Sequence, residues 1–358
     1  MKRSRDLLWM VGPAVVIFAP FFGLPGIMDM REAQMNFFQC VIFLWFILYL
    51  PKPVGVFLSY ALIHLLITGI PPEAAKMFQM ITLAAGFFLL VKHSAGNHLK
   101  GWFYAFFIFA LLNTAWVTLQ MNGIRFYFLE GPEREGTNIW IGHAGIMGQR
   151  VFSGALSAMI SPILFYIHPL LLPIAMLALW QSWCTAALVG FLPALCVTLF
   201  FVERKAFYFA LPVLFIGAFF FLKKDFAPGM HIDLLRFSYP LVKNQLFGNG
   251  LGSFSEMNIL WTHAQMVYKQ AHNDTFQIFF EYGAAGLFLF LCIVNDVFKK
   301  FMEFKSDKAI VVLFSSMLAF YITSFGQPVF HVARTAMPAV ALAALFYSRY
   351  ENLKRSTP

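Results

Sequence analysis

The sequence predicts an all-α integral membrane protein of about twelve transmembrane helices, with a long outer loop carrying short helices. Three observations lead there. Of 358 residues, 60% are hydrophobic and only 12% charged, against about 45–50% and about 25% in soluble domains. The apolar residues fall in continuous runs of about twenty, the length that crosses a bilayer, rather than the alternating ten-residue segments of a barrel. The basic excess, a net charge of +9, falls on one side of the topology that these runs imply.

In chain order the apolar segments cover residues 7–25, 36–50, 54–70, 77–91, 101–120, 151–167, 169–182, 185–202, 206–222, 276–297, 309–325 and 329–348. Segments six to eight are parted only by His168-Pro169 and Gln181-Ser182-Trp183, so ten or eleven spans remain an alternative count. Pro13, Pro20, Pro162, Pro193 and Pro212 lie inside segments, where neighbouring helices accommodate a kink. Twelve spans put both termini on one side. With that side cytoplasmic, fifteen cations and six acids fall inside, and the remaining eleven of each sign cancel. The charge therefore reflects orientation in a membrane, and no nucleic-acid partner is expected.

The four cysteines, Cys40, Cys184, Cys196 and Cys292, lie in or beside apolar segments and read as small core hydrophobes. No cleavable signal peptide is expected, because the first apolar run lacks a small-residue cleavage site and leads into further spans. The chain reads as a single membrane domain, 1–358, with outer loops at 121–150 and 223–275. In the second loop Leu234-Leu235, Tyr239-Pro240-Leu241-Val242 and Ile259-Leu260-Trp261 predict short helices on the membrane surface. Loops of this length in a compact protein are usually functional or disordered.

The second loop also holds the polar candidates. His272 opens a predicted transmembrane helix, with Asn273 or Asp274 as its N-cap. It is either a structural imidazole or a base. Arg236 is either a snorkelling interface residue or a clamp on phosphate oxygens. Phe247-Gly248-Asn249-Gly250-Leu251-Gly252-Ser253-Phe254 is a tight turn, with no preceding strand to make it a dinucleotide fingerprint. No spacing asks for a metal: His263 and His272 lack a matching carboxylate pair. No cofactor is expected, and no serine nucleophile elbow occurs.

Residues 231–290 resemble the ligase–polymerase superfamily of bacterial surface glycans, comprising O-antigen ligases, O-antigen polymerases and pilin O-oligosaccharyltransferases. The resemblance rests on Arg236, then Gly248, Gly250, Gly252 and Phe254, then His272-Asn273 with Gly283 and Gly286 downstream. Gly145-Ile146-Met147-Gly148-Gln149-Arg150, leading into a span with Pro162, is similar to a second family segment. The sequence departs from the pattern where Trp183 stands for a family arginine, Gln245 for a pre-turn proline and Phe276 for a leucine.

The resemblance implies a lipid-dependent glycosyltransferase architecture (GT-C-like) in a bacterial inner membrane, with the active site facing the periplasm. It implies metal-independent transfer of a glycan from a polyprenyl diphosphate carrier to a hydroxyl on lipid A core, another glycan or a protein. His272 would be the catalytic base. Arg236 and Arg150 would bind the donor diphosphate, with Arg334 and Lys243 as further cation candidates. Asn273, Gly248, Gly250 and Gly252 would support the site. A transporter of polysaccharide lipids, which would carry charges deep within its spans, and an inactive scaffold are the rival expectations.

Overall fold

The structure, a computed structural model, describes residues 43–44, 46–68, 72–95, 98–122, 147, 150–208, 229–256, 259–261, 266–268 and 270–357. The predicted segment 7–25, most of segments 36–50 and 206–222, and most of the first outer loop lie outside them, as do His263 and Lys269.

The described helices are α1 (Lys52–Thr68), α2 (Pro72–Ser94), α3 (Leu99–Met121), α4 (Arg150–Ile167), α5 (Leu172–Ser182), α6 (Thr185–Val202), α7 (Gly229–Ser238), α8 (Ser253–Glu256), α9 (Asp274–Glu303), α10 (Lys308–Thr323) and α11 (Ala333–Ser356). Among the described residues four helices are long and apolar enough to cross a membrane: Lys76–Ser94 within α2, then α3, α6 and α9. α1, α4, α10 and the Pro169–Ser182 stretch are shorter apolar helices. The chain is thus a largely helical protein built for a membrane.

The second loop departs from expectation at one point. Ile259–Trp261 (β1) is a strand, paired antiparallel with Met266–Tyr268 (β2), Leu260 opposite Val267. The β-branched and aromatic residues among them (Ile259, Trp261, Val267 and Tyr268) are ones that strands favour, and each stretch finds in the other the partner strand it needs. Gly229–Ser238 is helical as expected, and Tyr239–Leu241 continues it as a 3₁₀ turn.

The chain divides into two compact units. The first comprises Met1–His93, Arg236–Gln270 and Phe276–Asp296. In it α1 lies along α9: Phe57 meets Tyr282 edge-on and Phe290 at a tilt, and the Tyr60 hydroxyl donates to the Tyr282 carbonyl at 2.8 Å. The second comprises Ser94–Leu235, Ala271–Thr275 and Val297–Pro358. Its centre is α6, whose Ala187, Phe191, Ala194, Leu195 and Leu199 pack with Ala158, Leu179 and Ala319. Gly190 lets α10 approach closely, since a Cβ there would meet the Ala319 carbonyl and the Thr323 hydroxyl. Such small-residue contacts are how helices associate in lipid, where apolar burial gives little drive. Polar links do the rest: Asn113 Nδ2 donates to Ser153 Oγ at 2.8 Å, and the Thr114 hydroxyl to the Ile174 carbonyl at 3.0 Å.

At the far end of α9, Asp307 caps α10 by accepting the Ile310 amide at 2.9 Å. Arg349 grips the same carboxylate, Nη2 to Oδ2 at 2.5 Å and Nε to Oδ1 at 3.3 Å. Partial burial raises the Asp307 pKa, but Arg349 and the amides of Ile310 and Ala309 outweigh it, and the carboxyl lies below its ordinary range.

Candidate functional site: a broken helix and a clasped histidine

The glycine turn and the downstream glycines form one object within the first unit. α9 is broken at Gly283, whose φ of 68° and ψ of −169° belong to a region essentially reserved for glycine. A continuous helix would pair the Ala284 and Ala285 amides with the Phe280 and Glu281 carbonyls. Instead Ala284 donates to the Gln245 carbonyl at 2.8 Å and Ala285 to that of Leu246 at 3.1 Å. The abandoned carbonyls are met in turn: Asn249 donates to Phe280 and Gly250 to Glu281, both at 2.9 Å. The Tyr282 carbonyl takes the Tyr60 hydroxyl described above. Buried backbone groups must pair somewhere; here the turn replaces the helix's own ladder group for group.

This exchange explains the glycines in the turn. Gly248 has φ 77°, and a Cβ on it would sit 2.5 Å from Glu281 backbone atoms and the Gly283 nitrogen. Gly250 and Gly252, also at positive φ, back onto Thr68 and onto the Glu73–Ala74 backbone. Asn249 fastens the turn from within: its Oδ1 accepts the Lys243 amide at 2.7 Å and its Nδ2 donates to the Leu241 carbonyl at 2.9 Å. Gln245 contributes a carbonyl to the break, a group that proline also has, so glutamine in place of the family's proline leaves the exchange intact.

Arg236 is exposed at the end of α7. One turn on, Tyr239 stacks on Phe279 of α9 at 6.3 Å with ring planes 11° apart. Arg236 is thus held on a segment tied to α9 by this stack and by the turn. Lys243 is also exposed. Glu281 is buried inside α9, its Oε1 accepting the Gln277 amide at 3.0 Å.

His272 belongs to the second unit. It is half-buried, and its φ of 53° is left-handed, a conformation that costs a non-glycine residue about 1–2 kcal/mol. α9 begins at Asp274, which leaves the cap position to Asn273. The Asp274 carboxylate does not serve its own helix. Its Oδ2 accepts the Phe330 amide at 2.9 Å and its Oδ1 lies 2.6 Å from His331 Nδ1, while its backbone N–H donates to the Ser324 carbonyl at 2.9 Å. Sequence reasoning missed this pair. The acid was visible only as a capping alternative, and nothing local ties it to a histidine 57 positions later.

Of the other expected cations, Arg150 is the first residue of α4. Arg334, exposed, donates from Nη1 to the Met147 carbonyl at 2.9 Å, just ahead of that helix. Trp183 stands in left-handed geometry (φ 51°) at the C-cap of α5, 40% exposed and against Trp180. Among the described residues no group of three His, Cys, Asp or Glu side chains gathers as a metal site. Compared with known protein families and curated proteins, the sequence matches no family model and no curated relative.

Proposed function

We propose that this protein is a membrane glycosyltransferase that moves a glycan from a polyprenyl diphosphate to a hydroxyl acceptor. The observation that carries the reading is the interlock at Gly283. The two glycine motifs on which the resemblance rests exchange backbone hydrogen bonds group for group, so their spacing answers to one structural task. In this reading the full chain crosses a bacterial inner membrane about twelve times, with a GT-C-like architecture and both termini cytoplasmic. The outer loop faces the periplasm, and the acceptor is lipid A core, as for an O-antigen ligase. A polymerase or a protein O-oligosaccharyltransferase uses the same groups with another acceptor.

The chemistry is displacement at the anomeric carbon. The acceptor oxygen forms the new C–O bond as His272 takes its proton. The bond from the anomeric carbon to the diphosphate breaks, and its electron pair leaves on phosphate oxygen. An imidazole with ordinary pKa of about 6.5 suits this task near neutrality. Arg236 and Arg150 stabilise the charge that builds on the departing diphosphate, and a leaving group of this quality needs no metal.

The test is transfer of a labelled glycan from polyprenyl diphosphate by purified protein in detergent with EDTA, against lipid A core, glycan and pilin-type acceptors. His272→Ala should lose about 10²–10⁴-fold, the usual contribution of a general base, and Arg236→Ala should lose donor affinity as well as rate. Full transfer by His272→Ala would remove the base from the mechanism. No transfer by the wild-type protein to any acceptor would sink the function.

A further inference from the structure

The left-handed backbone of His272 needs something to hold it, and the second unit supplies a candidate two residues away. Asp274 is 1% exposed, and all its polar contacts named above go to residues 324–331, the turn joining α10 to α11. That turn is itself braced. The buried Thr335 hydroxyl donates to the Val329 carbonyl at 2.6 Å, Ser324 Oγ donates to the Tyr321 carbonyl at 2.6 Å, and Phe330 meets Phe320 edge-on at 4.7 Å. On the other side of His272, Ala271 is buried at 1% exposure. The imidazole therefore projects from a short backbone stretch pinned at both ends.

We infer that Asp274, acting with His331, is a positioning residue that locks residues 271–274 onto the 324–331 turn and thereby aims the His272 ring. The kinetic consequence rests on the transferase reading; the structural one does not. In this arrangement an ionised Asp274 accepts from the Nδ1–H of His331 at 2.6 Å. Asp274→Asn keeps an acceptor for the Phe330 amide and loses the charge. Asp274→Ala loses both, and His331→Gln removes the imidazole while leaving the aspartate in place.

Two readouts decide it, both on the full-length protein in detergent. Ring spectra of ¹⁵N-histidine-labelled protein, assigned with His272→Ala and His331→Gln, should find a proton on His331 Nδ1. The His272 signals and their titration midpoint should move in Asp274→Ala and in His331→Gln, and return part-way in Asp274→Asn. In the transfer assay Asp274→Ala should lower kcat by about 100-fold, the effect expected for a reacting group displaced by about 1 Å. Its donor KM should stay within about threefold, and the double variant should lose no more than the worse single one. His272 signals that superimpose on wild type in both single variants overturn the inference. So does an unchanged kcat in Asp274→Ala. If the wild-type protein transfers nothing, the transferase reading fails, and the ring spectra still decide the positioning.

Discussion

Replacing Gly283 by alanine tests the interlock, because two physical arguments give it opposite signs. By helix propensity alone, glycine to alanine inside a helix stabilises by about 1 kcal/mol. The structure predicts the reverse. Alanine at φ 68°, ψ −169° costs about 1–3 kcal/mol in backbone strain. Its Cβ would also run into the Leu246 carbonyl and the Phe247 nitrogen. The escape is for α9 to close into a regular helix, which restores the Ala284 and Ala285 bonds to Phe280 and Glu281 but evicts the turn. That strands the Gln245 and Leu246 carbonyls and the Asn249 and Gly250 amides, at about 1–3 kcal/mol for each group that stays buried. By either route the variant should lose about 2–4 kcal/mol. Thermal unfolding of purified protein in detergent reads this directly. Gly101→Ala is the control, since a Cβ there meets nothing within 4 Å; it should be neutral or slightly stabilised. A Gly283→Ala protein as stable as wild type would refute the argument that the turn depends on the break.

Further predictions concern other contacts. Asp307→Asn keeps a side-chain oxygen that accepts the Ile310 amide but loses the charge facing Arg349, at a cost within about 1 kcal/mol because Arg349 is partly exposed. Because the folded pKa of Asp307 is lowered, this stabilisation is present at neutral pH and lost as pH falls below about 4. The melting temperatures of variant and wild type should converge there; a gap of the same size at pH 3 would contradict it. Gly190→Ala should destabilise by about 1–3 kcal/mol through overpacking against Ala319 and Thr323, and a melting point unchanged or raised would count against the close α6–α10 approach. Asn249→Ala should cost about 1–2 kcal/mol and speed proteolysis between residues 236 and 254. Asn249→Asp, which keeps the Lys243 contact but not the donor to Leu241, should fall between; cleavage at the wild-type rate in both would dismiss the staple.

Helices were the legible part of this sequence, because a run of apolar residues states its own length. Segments expected at 54–70, 101–120 and 185–202 appear as Lys52–Thr68, Leu99–Met121 and Thr185–Val202. The turn at 247–254 was legible from its glycines. The hairpin at Ile259–Trp261 was not, since three apolar residues suit a strand or a helix until a partner strand decides. The break in α9 stayed hidden for a related reason. Gly283 lies in an apolar stretch of helical period, and what opens the helix there is the turn some thirty positions earlier. Asp274 read as a cap because local rules favour that use, whereas its partners lie more than fifty positions downstream. Side chains whose task is to join distant segments carry no periodic mark.

The opening in α9 also bears on the order of assembly. When Asp274–Glu303 first enters lipid without the turn beside it, its amides and carbonyls have only one another, and an unbroken helix is the arrangement that satisfies them. The loop from 244 to 252 is made earlier and rests on Thr68 and Glu73–Ala74, but the amides and carbonyls it shares with α9 lack their counterparts until that segment is in place. The kink at Gly283 therefore belongs to the state in which the loop is seated: alone in lipid the same span favours an unbroken helix, and the loop's groups are what replace the bonds that the break gives up.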